Sequence, residues 1–220
     1  MAGGRLWEQA EALITRILRK RQIWPPGYLR FILRGDPRCF EVFTHLTVEE
    51  RLLLYRLAVN LSRRACLVEI GSYLGASACF LAAAAREIDG QLVCVDTWQN
   101  DAMSEGTRDT YADFQHNTRI YARWITPLRG DSASMALLFD RTVDLLFIDA
   151  DHDYPAVKAD LTAWAPKVRN DGWVVMHDWG WADGVRRATE EMLTPIQSGP
   201  ALILPNLYAA QVRWIDQGGA

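Results

Sequence analysis

The densest collection of reactive side chains falls in two stretches, Leu146-Phe147-Ile148-Asp149-Ala150-Asp151-His152-Asp153-Tyr154 and Trp173-Val174-Val175-Met176-His177-Asp178-Trp179. Each begins as an apolar run and ends in polar groups: three acids with a histidine in the first, a His-Asp pair in the second. Should the runs be neighbouring strands, their ends would bring Asp149, His177 and Asp178 within one ion's coordination sphere. Carboxylate oxygens with one imidazole suit Mg2+ or Mn2+, and no thiolate stands nearby to suggest structural zinc. A plainer alternative has these acids capping helices or pairing with Lys158, Lys167 or Arg169 at the surface.

A second set surrounds Val68-Glu69-Ile70-Gly71-Ser72-Tyr73-Leu74-Gly75-Ala76-Ser77, where an acid ends an apolar run and a glycine turn leads into a helix. Such a turn lets a ligand approach bare backbone amides. The next apolar run, Leu92-Val93-Cys94-Val95, ends in Asp96, a carboxylate placed to accept both hydroxyls of a ribose. A nicotinamide cofactor stays open on these residues alone. The turn nevertheless lacks the Gly-x-Gly-x-x-Gly spacing, and no phosphate-binding Lys-Ser/Thr pair follows it.

Positioning these groups requires strands whose carboxyl ends meet along one edge of a sheet. From Ala65 onward short apolar runs alternate with helical patterns, the signature of parallel strands joined by crossover helices. Strands are predicted at 66–70, 92–96, 124–128, 143–148 and 172–176. The run 143–148 has almost no polar alternation and should be central, covered on both faces. A helix near 182–193 precedes two apolar runs, Ala201 to Leu204 and Leu207 to Trp214, close enough for an antiparallel hairpin at the end of the sheet. Ahead of all this, residues 6–23 carry an apolar helical stripe that Trp24-Pro25-Pro26-Gly27 breaks. Thr47-Val48-Glu49-Glu50 then has the form of a capping box opening a helix through about Leu61.

The turn Glu69-Ile70-Gly71-Ser72-Tyr73-Leu74-Gly75 resembles the first motif of class I S-adenosylmethionine-dependent methyltransferases, and Asp96 resembles their ribose-binding acid. The resemblance covers roughly residues 65–215. It implies a Rossmann-like α/β sheet with a C-terminal antiparallel strand. The implied cofactor contacts are Glu69, Gly71, Ser72, Tyr73, Gly75, Ser77, Asp96, Thr97, Gly130, Asp131, Ser132 and Asp149. Gly130-Asp131-Ser132 stands for the adenine-contacting turn, although Asp131 also reads as an ordinary helix cap.

The acidic double motif is similar to small-molecule O-methyltransferases of the macrocin and novobiocin type, which act on sugars and glycosylated natural products, and to cephalosporin-hydroxylase-like proteins. That resemblance implies Asp149 and Asp178 as ligands of Mg2+ or Mn2+ and Asp151 as base. The sequence departs from the pattern at His177, where an acid is expected, and His177 stands as the third candidate ligand. His152 follows Asp151 and, with a solution pKa nearer neutrality, is a rival base.

The loop Thr97 to Gly106, followed by Tyr111, Phe114, His116 and Asn117, mixes aromatics and amides that would suit a sugar-like acceptor; Trp179 and Trp181 flank the same region. The aromatics serve equally well as core, Phe114 above all.

Composition narrows the partners. A net charge of −3 gives no basic field for a nucleic-acid backbone. Arg16, Arg19, Lys20 and Arg21 read as a solvated helix face. No apolar run approaches the ~20 residues of a membrane span. The start, with Glu8 and Glu11, does not read as a signal peptide, and the four cysteines show no metal spacing, so a reducing cytoplasm is expected. The organisation expected is a helical extension over 1–62, a cap or oligomerisation element in a homo-oligomer, followed by a cofactor-binding domain over 63–220.

Overall fold

The structure is a computed structural model that describes residues 25–100 and 106–214. The apolar stripe over 6–23, with its basic cluster, and the 101–105 part of the polar loop lie outside the described residues. Five strands, β1 (Cys66–Ile70), β2 (Gln91–Asp96), β3 (Ile125–Arg129), β4 (Val143–Ile148) and β5 (Val168–His177), run parallel. A hairpin of β6 (Leu202–Leu204) and β7 (Leu207–Val212) completes a seven-stranded sheet of order β3-β2-β1-β4-β5-β7-β6. β7 is antiparallel to both its neighbours, so the parallel sheet with an antiparallel end is present and β4 is its middle strand.

Seven helices are described: α1 (Tyr28–Arg34), α2 (Val48–Val59), α3 (Ala76–Glu87), α4 (Tyr111–Thr118), α5 (Ser132–Leu138), α6 (Tyr154–Trp164) and α7 (Asp183–Met192). Alternate strand residues point to opposite layers. Leu67, Leu92, Cys94, Leu145 and Phe147 join one core with residues of α1 to α4; Val68, Ile70, Val93, Leu146 and Ile148 join another with α5 to α7. Burial on both faces is why these strands read as unbroken apolar runs. α2 opens on the expected capping box, with Thr47 and Glu50 exchanging side-chain and backbone bonds. The missed α1 is short, and its Phe31 stacks on Phe80 at 4.0 Å and meets Tyr55 edge-on at 5.2 Å, tying this early segment to α3 and α2. Burying such a ring is worth about 1.5–3 kcal/mol.

Several boundaries differ from the sequence reading by one residue, and one differs by four. β3 starts at Ile125 because Trp124 closes a 3-10 turn (Arg119–Trp124). β5 begins at Val168, ahead of the expected 172: Val168 pairs with Val143 before the register with β4 shifts, and Asp171 sits at φ +59° just before Gly172. That polar, irregular opening hid the strand's first turn of pairing from the apolar pattern.

Candidate active site

The carboxyl ends of β1, β2, β4 and β5 converge on the turn after β1. Gly71 adopts φ +83°, and a Cβ there would lie 2.0 Å from the Asp149 carbonyl oxygen, so the turn and the end of β4 touch through backbone alone. Gly75, at φ +86°, caps α3. Asp96 clamps the turn: its Oδ2 accepts from the Ser72 amide (2.7 Å) and the Tyr73 amide (2.8 Å), and its Oδ1 from the Trp98 amide (2.6 Å). Beneath the turn Glu69 is fully buried. Its Oε2 accepts from Ser72 Oγ (2.6 Å) and Cys94 Sγ (3.4 Å), while Oε1 has no hydrogen-bond partner among the described residues. Burial pushes its pKa up to about 7 against the bonds that favour the carboxylate.

Two cavities open on either side of this turn and share Gly71, Tyr73, Asp149 and Ala150. The first, about 480 Å3, is lined by Asp96, Thr97, Gly130, Asp131, Ser132, Asp151 and Asp160 among others. Asp131 is both the helix cap foreseen, accepting from the Ser134 amide at 2.9 Å, and part of this wall. Asp160, which the sequence reading did not select, is buried in the same wall, and burial raises its pKa to about 6. The second, about 560 Å3, is lined by Phe43 to Leu46, Ser72, Ser77, His152, His177, Asp178, Trp181 and Asn206 among others. Both volumes lie in the range of small-molecule and cofactor sites. Ser72 and Ser77 thus face the second lobe, and Glu69 and Gly75 support the turn from outside both linings.

Along the second lobe, reaching the junction at Asp149, the acidic cluster assembles. Asp149, His177 and Asp178 each offer a ligand atom within 4.8 Å of the others. His177 Nδ1 lies 3.0 Å from Asp149 Oδ1 and 3.2 Å from Asp178 Oδ1. Asp178 adopts φ +58°, a conformation costly for a non-glycine residue, and its carboxylate is bonded on every side. Oδ1 accepts from Trp181 Nε1 (2.7 Å) and Asn206 Nδ2 (2.9 Å), and Oδ2 lies 2.7 Å from His152 Nε2. Burial alone would raise the Asp178 pKa, but the bonds from His152 and His177 hold it well below the usual carboxylate range. Burial would lower the His177 pKa, but Asp149, Asp178 and Glu50 outweigh it and push the value up to about 12. His152 is raised as well, chiefly by its bond to Asp178.

The two candidate bases separate. Asp151 Oδ1 accepts the amides of His152 (2.6 Å) and Asp153 (3.0 Å), a local turn, and the residue lines the first cavity. His152 lines the second, with its ring 4.9 Å from Trp181.

Several aromatics considered for the acceptor are core instead. Trp98 and Phe114 are buried, and Trp98 Nε1 donates to the Tyr73 carbonyl (3.1 Å). Asn117 donates to the Leu74 carbonyl (2.9 Å), bracing the glycine turn. Trp179 packs on Tyr208, whereas Trp181 is 61% exposed at the mouth of the second lobe. Glu50 and Asn206 went unnoticed in the sequence. In the sequence Glu50 carries only the signal of a capping box, and Asn206 only that of a two-residue hairpin turn.

A family model described as a methyltransferase domain matches residues 68–179, just over half of the chain. The chain belongs to the methyltransferase domain family. The family match and the strand order are those of a class I, S-adenosylmethionine-dependent methyltransferase, and the nicotinamide alternative gives way. Over 117 residues the methyltransferase is 36% identical to the uncharacterized protein y4gI of Sinorhizobium fredii; the match is 51% of this chain and only 13% of that relative. Among solved structures, the O-methyltransferase NovP is 17% identical with a TM-score of 0.62, over 93% of this chain and 98% of the other. CalS11, a TDP-rhamnose 3'-O-methyltransferase in calicheamicin biosynthesis, is 16% identical with a TM-score of 0.60, over 90% and 92%. At such identities the likeness is one of fold. The family match encloses the glycine turn, Asp96 and the acidic cluster, and leaves Glu50 and Asn206 outside.

Proposed function

We propose that this methyltransferase acts on oxygen, with Mg2+ or Mn2+, and that its acceptor is a hydroxyl of a sugar, an oligosaccharide or a glycosylated small molecule. The observation that carries the reading is the junction of the two cavities at Gly71 and Asp149, where the Asp149-His177-Asp178 cluster faces the second lobe. NovP and CalS11 support oxygen as the methylated atom, and the TDP-rhamnose of CalS11 supports a sugar.

In this reading Gly71, Ser72, Tyr73 and Ser77 line the place of the methionine part of S-adenosylmethionine, and Glu69 and Gly75 support that turn from behind. Asp96 and Thr97 hold the ribose, Gly130, Asp131 and Ser132 the adenine, and Asp149 closes the junction. The cofactor supplies the activated methyl group. The donor set fits a divalent cation: two carboxylates and an imidazole, with Nδ1 at 3.0 and 3.2 Å from the carboxylate oxygens. When bound, the cation supplies positive charge that lowers the pKa of an acceptor hydroxyl.

The chain's own contribution is alignment and proton removal. His152 is the base we favour over Asp151, because it lines the acceptor lobe. Its Nε2 faces Asp178 Oδ2, so an Nε2–H donated there leaves Nδ1 to accept the hydroxyl proton. Asp151 has an oxygen engaged by its own loop and lines the other lobe.

Phe43, Tyr73 and Trp181 in the acceptor lobe favour a second reading, a catechol-type acceptor, since a flat ring would stack there. Residues 1–62 are proposed as a helical extension, residues 63–220 as the methyltransferase domain, and the active form as a homo-oligomer in the cytoplasm. No helix among the described residues is long and apolar enough to cross a membrane.

Calorimetry with S-adenosylhomocysteine, with Mg2+ and after chelation, followed by methyl transfer to sugar and catechol panels, tests the reading. Micromolar binding with a metal-dependent heat and transfer to a glycoside is the expected outcome. Binding and turnover unaffected by chelation would remove the cation, and transfer to catechols alone would replace the acceptor.

A further inference from the structure

One charged side chain at the cluster comes from outside the methyltransferase domain model. Glu50, in the first turn of α2, is 1% exposed, and its Oε2 lies 3.6 Å from Nε2 of His177, itself 1% exposed. We infer that Glu50 is a positioning residue: its carboxylate faces Nε2 of His177 at ion-pair distance, favours the tautomer that carries the proton on Nε2, and leaves Nδ1 to face Asp149, Asp178 and a divalent cation. The inference rests on the divalent-cation reading given above.

The donors around Nε2 leave little choice of acceptor. Asn206 approaches Nε2 at 3.4 Å with its amide nitrogen, which donates to Asp178 Oδ1 and so cannot accept from the ring. Glu50, at 3.6 Å, is the carboxylate that faces Nε2, an ion-pair partner rather than a hydrogen-bonded one. A ring nitrogen that binds metal has its partner nitrogen held by a carboxylate or carbonyl in most such sites, because the second bond fixes the tautomer and raises ligand basicity. Here Nδ1 already points at two carboxylate oxygens, and Nε2 points at the third.

The position of Glu50 is itself overdetermined. Its Oε2 accepts from the Thr47 amide at 2.7 Å, and its own amide donates to Thr47 Oγ1 at 3.2 Å. The next residue, buried Arg51, sets its guanidinium over the rings of Phe40 (5.7 Å) and Phe80 (5.4 Å) and bonds to the Thr47 and Cys39 carbonyls. Leu52, Leu54 and Tyr55 of the same helix are fully buried. The helix start is thus anchored to α3, and through Glu50 it holds an imidazole at the end of β5. The same leading segment walls the acceptor lobe with Phe43 to Leu46, so substrate wall and cation site share one support.

The test uses the full chain and Mn2+, followed by electron paramagnetic resonance of the free ion, with Glu50→Gln, Glu50→Ala and Thr47→Ala. Glutamine keeps an acceptor for the Thr47 amide and preserves the capping box, so Glu50→Gln separates charge from helix integrity. Loss of such a supporting group costs about 10- to 100-fold in metal affinity. The expected result is weakening toward the lower figure in Glu50→Gln and toward the higher in Glu50→Ala. Thr47→Ala lowers Tm but leaves Mn2+ affinity within about twofold, a small fraction of that span. In the metal-free protein, the ring nitrogen NMR signals of His177 are expected to shift in Glu50→Ala and stay put in Thr47→Ala. Wild-type binding that neither Glu50 variant weakens overturns the inference alone, as does weakening by Thr47→Ala equal to that by Glu50→Ala. Failure of the wild type to bind Mn2+ overturns the cation reading and the inference with it.

Discussion

Replacing Glu69 by glutamine should change how the fold's stability depends on pH. The carboxyl ordinarily titrates near 4.5, and burial in the folded chain raises it to about 7. Between those two values the folded chain holds a proton that the unfolded chain has released, so stability falls as pH rises through this window and levels off above it. The difference is worth about 3 kcal/mol. Glutamine cannot ionise, so Glu69→Gln lacks that loss. Its carbonyl can take over the bond from Ser72 Oγ, while its amide falls where Oε1 has no partner, a desolvation cost of about 1–3 kcal/mol at every pH. The variant should therefore be less stable than the wild type at pH 5 and comparable to it or somewhat more stable at pH 8. Asp160, raised to about 6, imposes a slope of the same sign on both proteins and cancels in the difference. Urea melts of both proteins from pH 5 to 8.5 measure it. Parallel stability curves across that range would refute the reasoning, since they would mean that Glu69 is ionised in the folded chain as it is in the unfolded one.

Gly71→Ala places a methyl group against the Asp149 carbonyl at φ +83°, whereas Gly106→Ala meets nothing within 4 Å at φ +89°. Thermal melts and S-adenosylhomocysteine titration should show Gly106→Ala losing about 1–2 kcal/mol from backbone strain alone, and Gly71→Ala losing more and binding at least about tenfold more weakly. His152→Gln should lower kcat by about a hundredfold or more, and Asp151→Asn by less than about tenfold, in steady-state methyl transfer; the reverse order would make Asp151 the base. Because Asp178 raises the His152 pKa, the base is protonated and idle at low pH. Wild-type kcat/KM should then climb with pH through a limb above the ordinary histidine value of about 6.5, and His152→Gln should lack that limb.

The positions of the strands, the central place of 143–148 and the location of the chemistry were legible because all depend on apolar runs that end in polar groups. Ile148 is followed by Asp149, Met176 by His177, and Val95 by Asp96, so each strand announces its own carboxyl end. What periodicity does not carry is which distant residue fills the remaining valence of a site. Glu50 satisfies a capping box completely within four residues, so it leaves no local anomaly that would mark a second role. Asn206 looks like turn material until the hairpin folds β7 against β5 and delivers its amide to Asp178. Conversely, Phe114 and Trp98 carry side chains that suit a sugar but lie at positions the sheet and α3 already claim. A residue with one sufficient local explanation is therefore where a sequence conceals a tertiary function. At this site the concealed residues are those that orient the ligands, while the candidate ligands themselves stood in plain view at the strand ends.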